Sequence, residues 1–363
     1  MMGQYPCLEF HLEKLRNNLR EVSKRCKKAG IALAGVVKGV QAFPELVKEY
    51  LPFCDQIAFS RLQQVHALRS AGIVAEFLLL RIPQPSEIAQ MVSLVDCSLN
   101  SQLCVVWQIE RECARQNRKH KVILMADEGD LREGYWDKER MIEDAVVIET
   151  QMPHVHLEGI GVNLGCYGSI LPTEKNLGDL VRIARKVEER IGRKLEVVSG
   201  GATTSFELLL QGRLPKGINH LRLGEVIMNA RDLFDRHGVD LSFLDSHVPI
   251  LKAEVVEVFE KPTYPVGEID VDAFGHRQDY CDRGMRRRAI LALGRQDVGY
   301  LEDLIPRSNG VSILGGSSDH LILDIQDSRE EWYPGKIVDF DLNYGTLMFA
   351  TNSSGISIRY LTI

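Results

Sequence analysis

The 363-residue chain has no excess of positive charge: 44 lysines and arginines stand against 50 aspartates and glutamates, a formal net charge of −6 at neutral pH. That balance gives no attractive field for nucleic acid or for an anionic membrane surface. No stretch reaches the ~18 uncharged apolar residues that a helix needs to cross a bilayer, so no membrane partner is expected. The opening residues, MMGQYPCLEFHLEKLRNN, lack the apolar centre of a secretory signal and carry acids early, so no targeting segment is expected. The eight cysteines, Cys7, Cys26, Cys54, Cys97, Cys104, Cys113, Cys166 and Cys281, are scattered, and none form C-x-x-C. That argues against a zinc site or a disulfide framework, and for a reducing, cytoplasmic setting; no metal is expected.

What is present is a core. The composition is 45% hydrophobic and 26% charged, in the range of a globular protein, and the length suits one large or two ordinary domains. Leu12, Leu15, Leu19, Val22 and Cys26 recur at helical spacing, Lys27 and Lys28 fall in the last turn, and Gly30 suits the position that ends a helix. The strand-like run IALAGVV follows. Further short apolar runs come at 56–59, 76–80, 94–98, 121–126, 156–162, 195–199 and 218–223, with helical stretches such as 61–72 and 176–192 between them. Eight strand–helix units in this rhythm predict an α/β protein with an N-terminal (β/α)8 TIM barrel, in preference to a doubly wound sheet. After about residue 245 the helical period gives way to β-like runs with turns between them, at 250–262, 286–294, 320–325, 336–342 and 356–363, which predict a C-terminal all-β domain. The expected division is a strand in residues 1–10 that joins the β domain, a barrel in 11–245 and the β domain in 246–363.

Catalytic groups of a barrel sit at the C-terminal ends of its strands. LAGVVKG places Lys38 at the end of the first, and Asp127, Asn163, Ser199 and Arg222 lie at or just past the ends of later ones. In VVSGGATTSFELL two glycines permit close backbone approach, and Thr203, Thr204 and Ser205 then open a helix whose N-terminus attracts anions. HLRLGE brings a second close approach at Gly224, next to Glu225. Barrels bind phosphate with the loops after strands seven and eight. A lysine opposite such a site suggests pyridoxal 5'-phosphate held through the lysine amine. Taken singly, each feature has a structural reading: a solvated strand-end lysine, a glycine turn, a salt-bridge arginine. Their coincidence at the right strand ends carries the functional one.

These motifs resemble the alanine-racemase-type (fold type III) pyridoxal-phosphate enzymes, and within them the ornithine racemase group. The resemblance runs over nearly the whole chain, through AGVVKG, GDLREG, LEGIGVNLGCYG, VVSGGATTS, KGINHLRLGE, VDAFG, AILALGRQDV and GGSSDHLILD. It implies a racemase that interconverts L and D amino acids by two-base proton transfer at Cα. Lys38 then holds the cofactor and is one base. Arg132 meets the cofactor's phenolic oxygen and the substrate carboxylate. Asn163 stands where many relatives have a histidine near the pyridine ring. Ser199 lies on the cofactor side, and Thr203, Thr204, Gly224, Glu225 and Tyr344 form the phosphate cup. Arg222 faces the pyridine nitrogen; as a donor-only cation it leaves that nitrogen unprotonated, which suits racemisation and disfavours decarboxylation. Ser317, Ser318 and Asp319 bind substrate carboxylate from the β domain of a partner subunit, so a homodimer with interfacial sites is implied, although Asp319 can also simply brace its loop.

Two departures bear on substrate. The tyrosine that in alanine racemases acts as second base has no counterpart motif; the nearest stretch, GEIDVDAFGHRQDYCDRG, offers Asp272, His276, Tyr280 and Cys281. The tyrosine four residues after the lysine is replaced by Ala42, with Phe43 beside it. Both argue against alanine. The acids Glu268, Asp270, Asp272, Asp279 and Asp282 favour a diamino acid, ornithine or lysine, with Asp272 as partner of the side-chain ammonium. The alternatives are a non-catalytic pyridoxal-phosphate protein and an alanine or broad-specificity racemase.

Overall fold

A computed structural model describes residues 4–362 apart from 273, 276 and 278; His276 therefore lies outside the described residues. Residues 15–245 form one compact unit, and residues from both ends of the chain, up to Lys14 and from Ser246 on, form another.

β1, Cys7–His11, belongs to the second unit. In the first, β2 Ala32–Val36, β3 Gln56–Phe59, β4 Phe77–Leu79, β5 Cys97–Asn100, β6 His120–Ala126, β7 Val155–Val162, β8 Val197–Ser199 and β9 His220–Leu223 close a parallel barrel in chain order, with helices between them. Covered on both faces, strands such as β3 and β5 are buried along their whole length, as parallel strands are. Ala34, Ala58, Leu78, Leu99, Ile123, Met125 and Val197 fill the interior. Closure depends on Gly159: a Cβ there would lie 1.8 Å from the carbonyl oxygen of Val197 on the neighbouring strand. The helix Leu12–Lys28 buries Leu15, Leu19, Val22 and Cys26, the residues whose spacing predicts it. The apolar run at 94–98 is not one element. Leu94 ends the helix Ile88–Leu94, and the strand begins only at Cys97.

The second unit is an antiparallel sheet built on β10, Pro249–Pro262. β11 is Met285–Leu291, β12 Ile305–Pro306, β13 Ser312–Gly316, β14 Leu321–Asp324, β15 Ile337–Asp341 and β16 Ser357–Leu361. The sheet order is β12-β15-β10-β11-β14-β13, with β1 antiparallel to β10 and parallel to β16. β10 pairs with β15 through its buried first half and with β11 through its more exposed second half, across a bulge between Val255 and Glu257. The domain is not purely β, however. YGTLMFA forms the helix Tyr344–Ala350, opened by Asn343, whose side chain accepts from the Thr346 N–H at 2.8 Å, and Arg295–Val298 makes one further turn. Two turns of helix carry too few apolar positions for a 3.6-residue period to show in sequence.

Candidate active site

β2 ends at Val36, and Lys38 opens a 3-10 turn over Lys38–Val40. The chain then passes through Gln41 and Ala42 at φ 51° and 50°, a region that non-glycine residues seldom adopt. The turn is pinned from Ala42 N–H to Val37 O at 3.0 Å and from Gln64 Nε2 to the Lys38 carbonyl at 3.4 Å. The Lys38 side chain is half-buried, and its amine makes no hydrogen bond or ion pair among the described residues. Burial lowers its pKa; Arg132 and Arg222 add to that effect, while Cys166 and Glu133 oppose it. More of the amine is therefore neutral, and able to take a proton or attack a carbonyl, than for a solvated lysine.

On β9, His220 and Arg222 share the inward face. Arg222 is buried; its Nη1 donates to Ser199 Oγ and its Nη2 to the Val162 carbonyl at 2.7 Å. Both acceptors are neutral, and no carboxylate pairs with it among the described residues. Burial brings its pKa down to about 10, Arg132 adds to the lowering and Glu133 opposes it, so it remains a cation at neutral pH.

After β8 the backbone turns through Gly200 and Gly201, the latter at φ +107°, where a Cβ would come 2.9 Å from Ser205 Oγ. The helix Thr203–Leu210 starts there, with its first N–H groups lacking intrahelical partners. Thr203 Oγ1 accepts from the Val226 N–H at 3.4 Å and so ties this loop to the one after β9, while Thr204 Oγ1 donates to Leu164 O at 3.2 Å. At Gly224 a Cβ would lie 3.0 Å from the Val36 carbonyl oxygen. Glu225 Oε1 accepts from the N–H groups of Arg231 and Asp232, each at 3.0 Å; burial and then Asp232 raise its pKa. Asn163 Nδ2 and Glu225 Oε2 are buried without a hydrogen-bond partner among the described residues.

The loop after β6 is braced by Asp127, whose Oδ1 accepts from Gly129 N–H at 2.9 Å and Leu131 N–H at 3.1 Å. It presents Arg132, which forks onto both oxygens of Glu133. The loop after β7 is held by buried Asp130, which accepts from the N–H groups of Cys166, Tyr167 and Ile170 at 3.1–3.3 Å. Lys38, Arg132, Arg222, Glu133 and Cys166 thus share one electrostatic neighbourhood at the C-terminal end of the barrel.

Residues 10–232 match the family model described as alanine racemase, N-terminal domain. The chain is 39% identical to an ornithine racemase of Acetoanaerobium sticklandii, over 98% of this chain and all of that one. It is 37% identical to a lysine racemase of Thermotoga maritima, over 98% of each. In fold it resembles an alanine racemase of Clostridium difficile, with a TM-score of 0.77 at 15% identity, over 100% of this chain and 97% of that one. The chain belongs to the alanine racemase family.

The remaining sequence-named positions of this family member lie in its β domain. Tyr344 opens the helix Tyr344–Ala350 and is half-buried. Half-buried Ser317 and exposed Ser318 and Asp319 form the turn between β13 and β14. Both Asp319 oxygens accept a hydrogen bond within this loop, Oδ1 from Gln296 Nε2 at 2.5 Å and Oδ2 from Ser318 Oγ. Gln296 and Arg295, within the AILALGRQDV motif, donate their N–H groups to the carbonyls of Ser318 and Ser317. Asp272 Oδ1 accepts from the Phe274 N–H at 2.9 Å, Tyr280 packs edge-on to Tyr264 with centroids 6.2 Å apart, and Cys281 is exposed. In the barrel, sequence reasoning missed Glu133, Cys166, Gln56 and His220. The signal for His220 was available: it precedes Arg222 by two on a strand, and so faces the same way.

Proposed function

We propose that this chain is a pyridoxal-phosphate-dependent amino-acid racemase whose substrate is a diamino acid, ornithine or lysine. The observation that carries the reading is the pairing, in one barrel end, of an unpaired lysine amine of lowered pKa with a buried arginine held by neutral acceptors alone. The residues suit the cofactor. Asn163 has a buried N–H donor awaiting an acceptor, Arg222 has N–H groups beyond the two it uses, and the Gly200–Gly201 and Gly224 turns leave space where a side chain would intrude. Lys38 would hold it, Arg222 and Asn163 the ring, and Thr203, Thr204 and the backbone at Gly224 and Glu225 the phosphate. The bound cofactor supplies an electron sink that acidifies the substrate Cα–H.

The chain's own residues do the rest. Arg132 exchanges Glu133 for the substrate carboxylate. Lys38, its pKa lowered by burial, takes or returns the proton on one face of Cα. Tyr280 or Cys281 serves the other face, and Asp272 takes the side-chain ammonium. The active form is a homodimer in which Ser317, Ser318, Asp319 and Tyr344 of the β domain (residues 246–363 with the strand in 1–10) complete the barrel site of the other copy. The exposed apolar residues Val256, Phe259 and Met285 on β10 and β11 support a protein partner there. The described cysteines are all free, which suits the cytoplasm. The test is optical rotation of L-ornithine, L-lysine and L-alanine with cofactor-loaded enzyme. Ornithine or lysine should lose rotation fastest; a preference for alanine, or no loss with any of them, would overturn the reading.

A further inference from the structure

Behind Arg222 a file of side chains runs towards the N-terminal end of the barrel, buried through Ser199, His220 and Gln56 and ending on the half-buried Glu76. Ser199 Oγ lies 2.7 Å from His220 Nδ1, His220 Nε2 lies 3.2 Å from Gln56 Oε1, and Gln56 Nε2 lies 2.8 Å from Glu76 Oε1. Lys121 Nζ fixes that carboxylate at 3.0 Å and reaches Glu158 at 3.1 Å. Ser199, His220 and Gln56 are 0%, 2% and 7% exposed, so water cannot substitute for a missing partner.

The chemistry at each end permits one direction. Glu76, held by a lysine ammonium, can only accept, so Gln56 turns its amide N–H₂ to it and its carbonyl oxygen to His220. His220 Nε2 must then carry the hydrogen. Burial and the Arg222 cation keep the ring neutral, so its Nδ1 bears a lone pair. Ser199 gives its only hydrogen to that lone pair and turns its own lone pairs to Arg222. Arg222, donor only, completes the sequence.

We propose that Ser199, His220 and Gln56 are positioning residues: a one-way hydrogen-bond chain, anchored on Glu76, that fixes the plane and donor pattern of Arg222 towards the cofactor ring nitrogen. The proposal rests on the reading that Arg222 faces that nitrogen. With Nη1 set by Ser199 and Nη2 by Val162, the guanidinium cannot rotate, and its remaining N–H groups point one way. A chain turned the other way would aim a hydroxyl hydrogen at a cation.

Two measurements test this. In the protein without cofactor, nitrogen-15 NMR of the His220 ring should show Nε2 protonated and Nδ1 bare at neutral pH; the opposite tautomer, or an imidazolium, overturns the chain. Binding of pyridoxal phosphate is then compared with that of its 1-deaza analogue, in which carbon replaces the ring nitrogen. Ser199→Ala should weaken pyridoxal phosphate about tenfold and leave the analogue unchanged, Gln56→Leu should do the same more mildly, and Ser199→Thr, which keeps the hydroxyl, should restore the wild-type preference. Equal weakening of both compounds shows a merely structural role and overturns the proposal, as does no change in either. A wild-type protein that binds neither compound contradicts the assigned function instead, and the tautomer measurement still decides the chain.

Discussion

Replacing Arg222 by methionine separates chemistry from stability. Arg222 is 3% exposed and gives charge-assisted hydrogen bonds to Ser199 Oγ and the Val162 carbonyl. Bonds to a charged group contribute about 1.5–3 kcal/mol each, so their loss costs roughly 3–6 kcal/mol. Against this, the variant no longer buries a cation that has no carboxylate partner, a penalty of several kcal/mol, and methionine retains most of the apolar stem. The two sums nearly cancel. Net stability should change by about 2 kcal/mol or less in either direction, which for a domain of this size is within roughly 4–8 °C of melting temperature. Racemisation should fall by two orders of magnitude or more, because Arg222 is the residue proposed to face the cofactor ring. Thermal melts of the cofactor-free protein and initial rates with saturating cofactor measure the two effects. A melting point lowered by more than about 15 °C would show Arg222 to be a structural arginine; unchanged turnover would show that it does not face the ring.

Lys38→Met should raise the stability of the cofactor-free protein. The folded pKa of Lys38 lies below its unfolded value of about 10.4, so the unfolded chain binds more protons between the two; the variant's advantage is full below the folded pKa and vanishes as pH rises through about 10.4, which melts across pH 7–10.5 will show. Asp130→Ala removes three backbone partners of the 166–170 loop, so amide hydrogen exchange at Tyr167 and Ile170 should quicken at least tenfold and KM should rise, whereas unchanged exchange would show another anchor. Asp272→Asn should cost the diamino acids on the order of 2–5 kcal/mol in kcat/KM, and spare alanine; equal losses on all three would remove Asp272 from substrate recognition.

The barrel was legible because parallel strands covered on both faces are unbroken apolar runs, and eight such runs stand out between amphipathic helices. The sequence was least informative where one apolar run served two elements, as at Leu94 and Cys97, and where an element was short, as with β12 and the Tyr344–Ala350 helix. Lys38, Arg222 and the two glycine turns stood out because they fall at strand ends, the side of a barrel where active sites form. The polar file behind Arg222 did not. Its members come from β3, β8 and β9 and the residue before β4, and only closure of the barrel sets Gln56 against His220. At Asp319 the motif left two roles open, substrate ligand and loop brace; the contacts from Gln296 and Ser318 come from residues that only the fold brings together.

Lys38 is proposed to move the Cα proton of a diamino acid, and one experiment tests this directly. Cofactor-loaded enzyme is incubated with L-ornithine in deuterium oxide while optical rotation and Cα deuterium content are followed together, beside Lys38→Ala. Rotation should fall to zero with one deuterium entering at Cα, and neither event should occur in the variant. Rotation that stays constant with wild-type protein carrying its cofactor on Lys38, or equal racemisation by Lys38→Ala, would contradict this role.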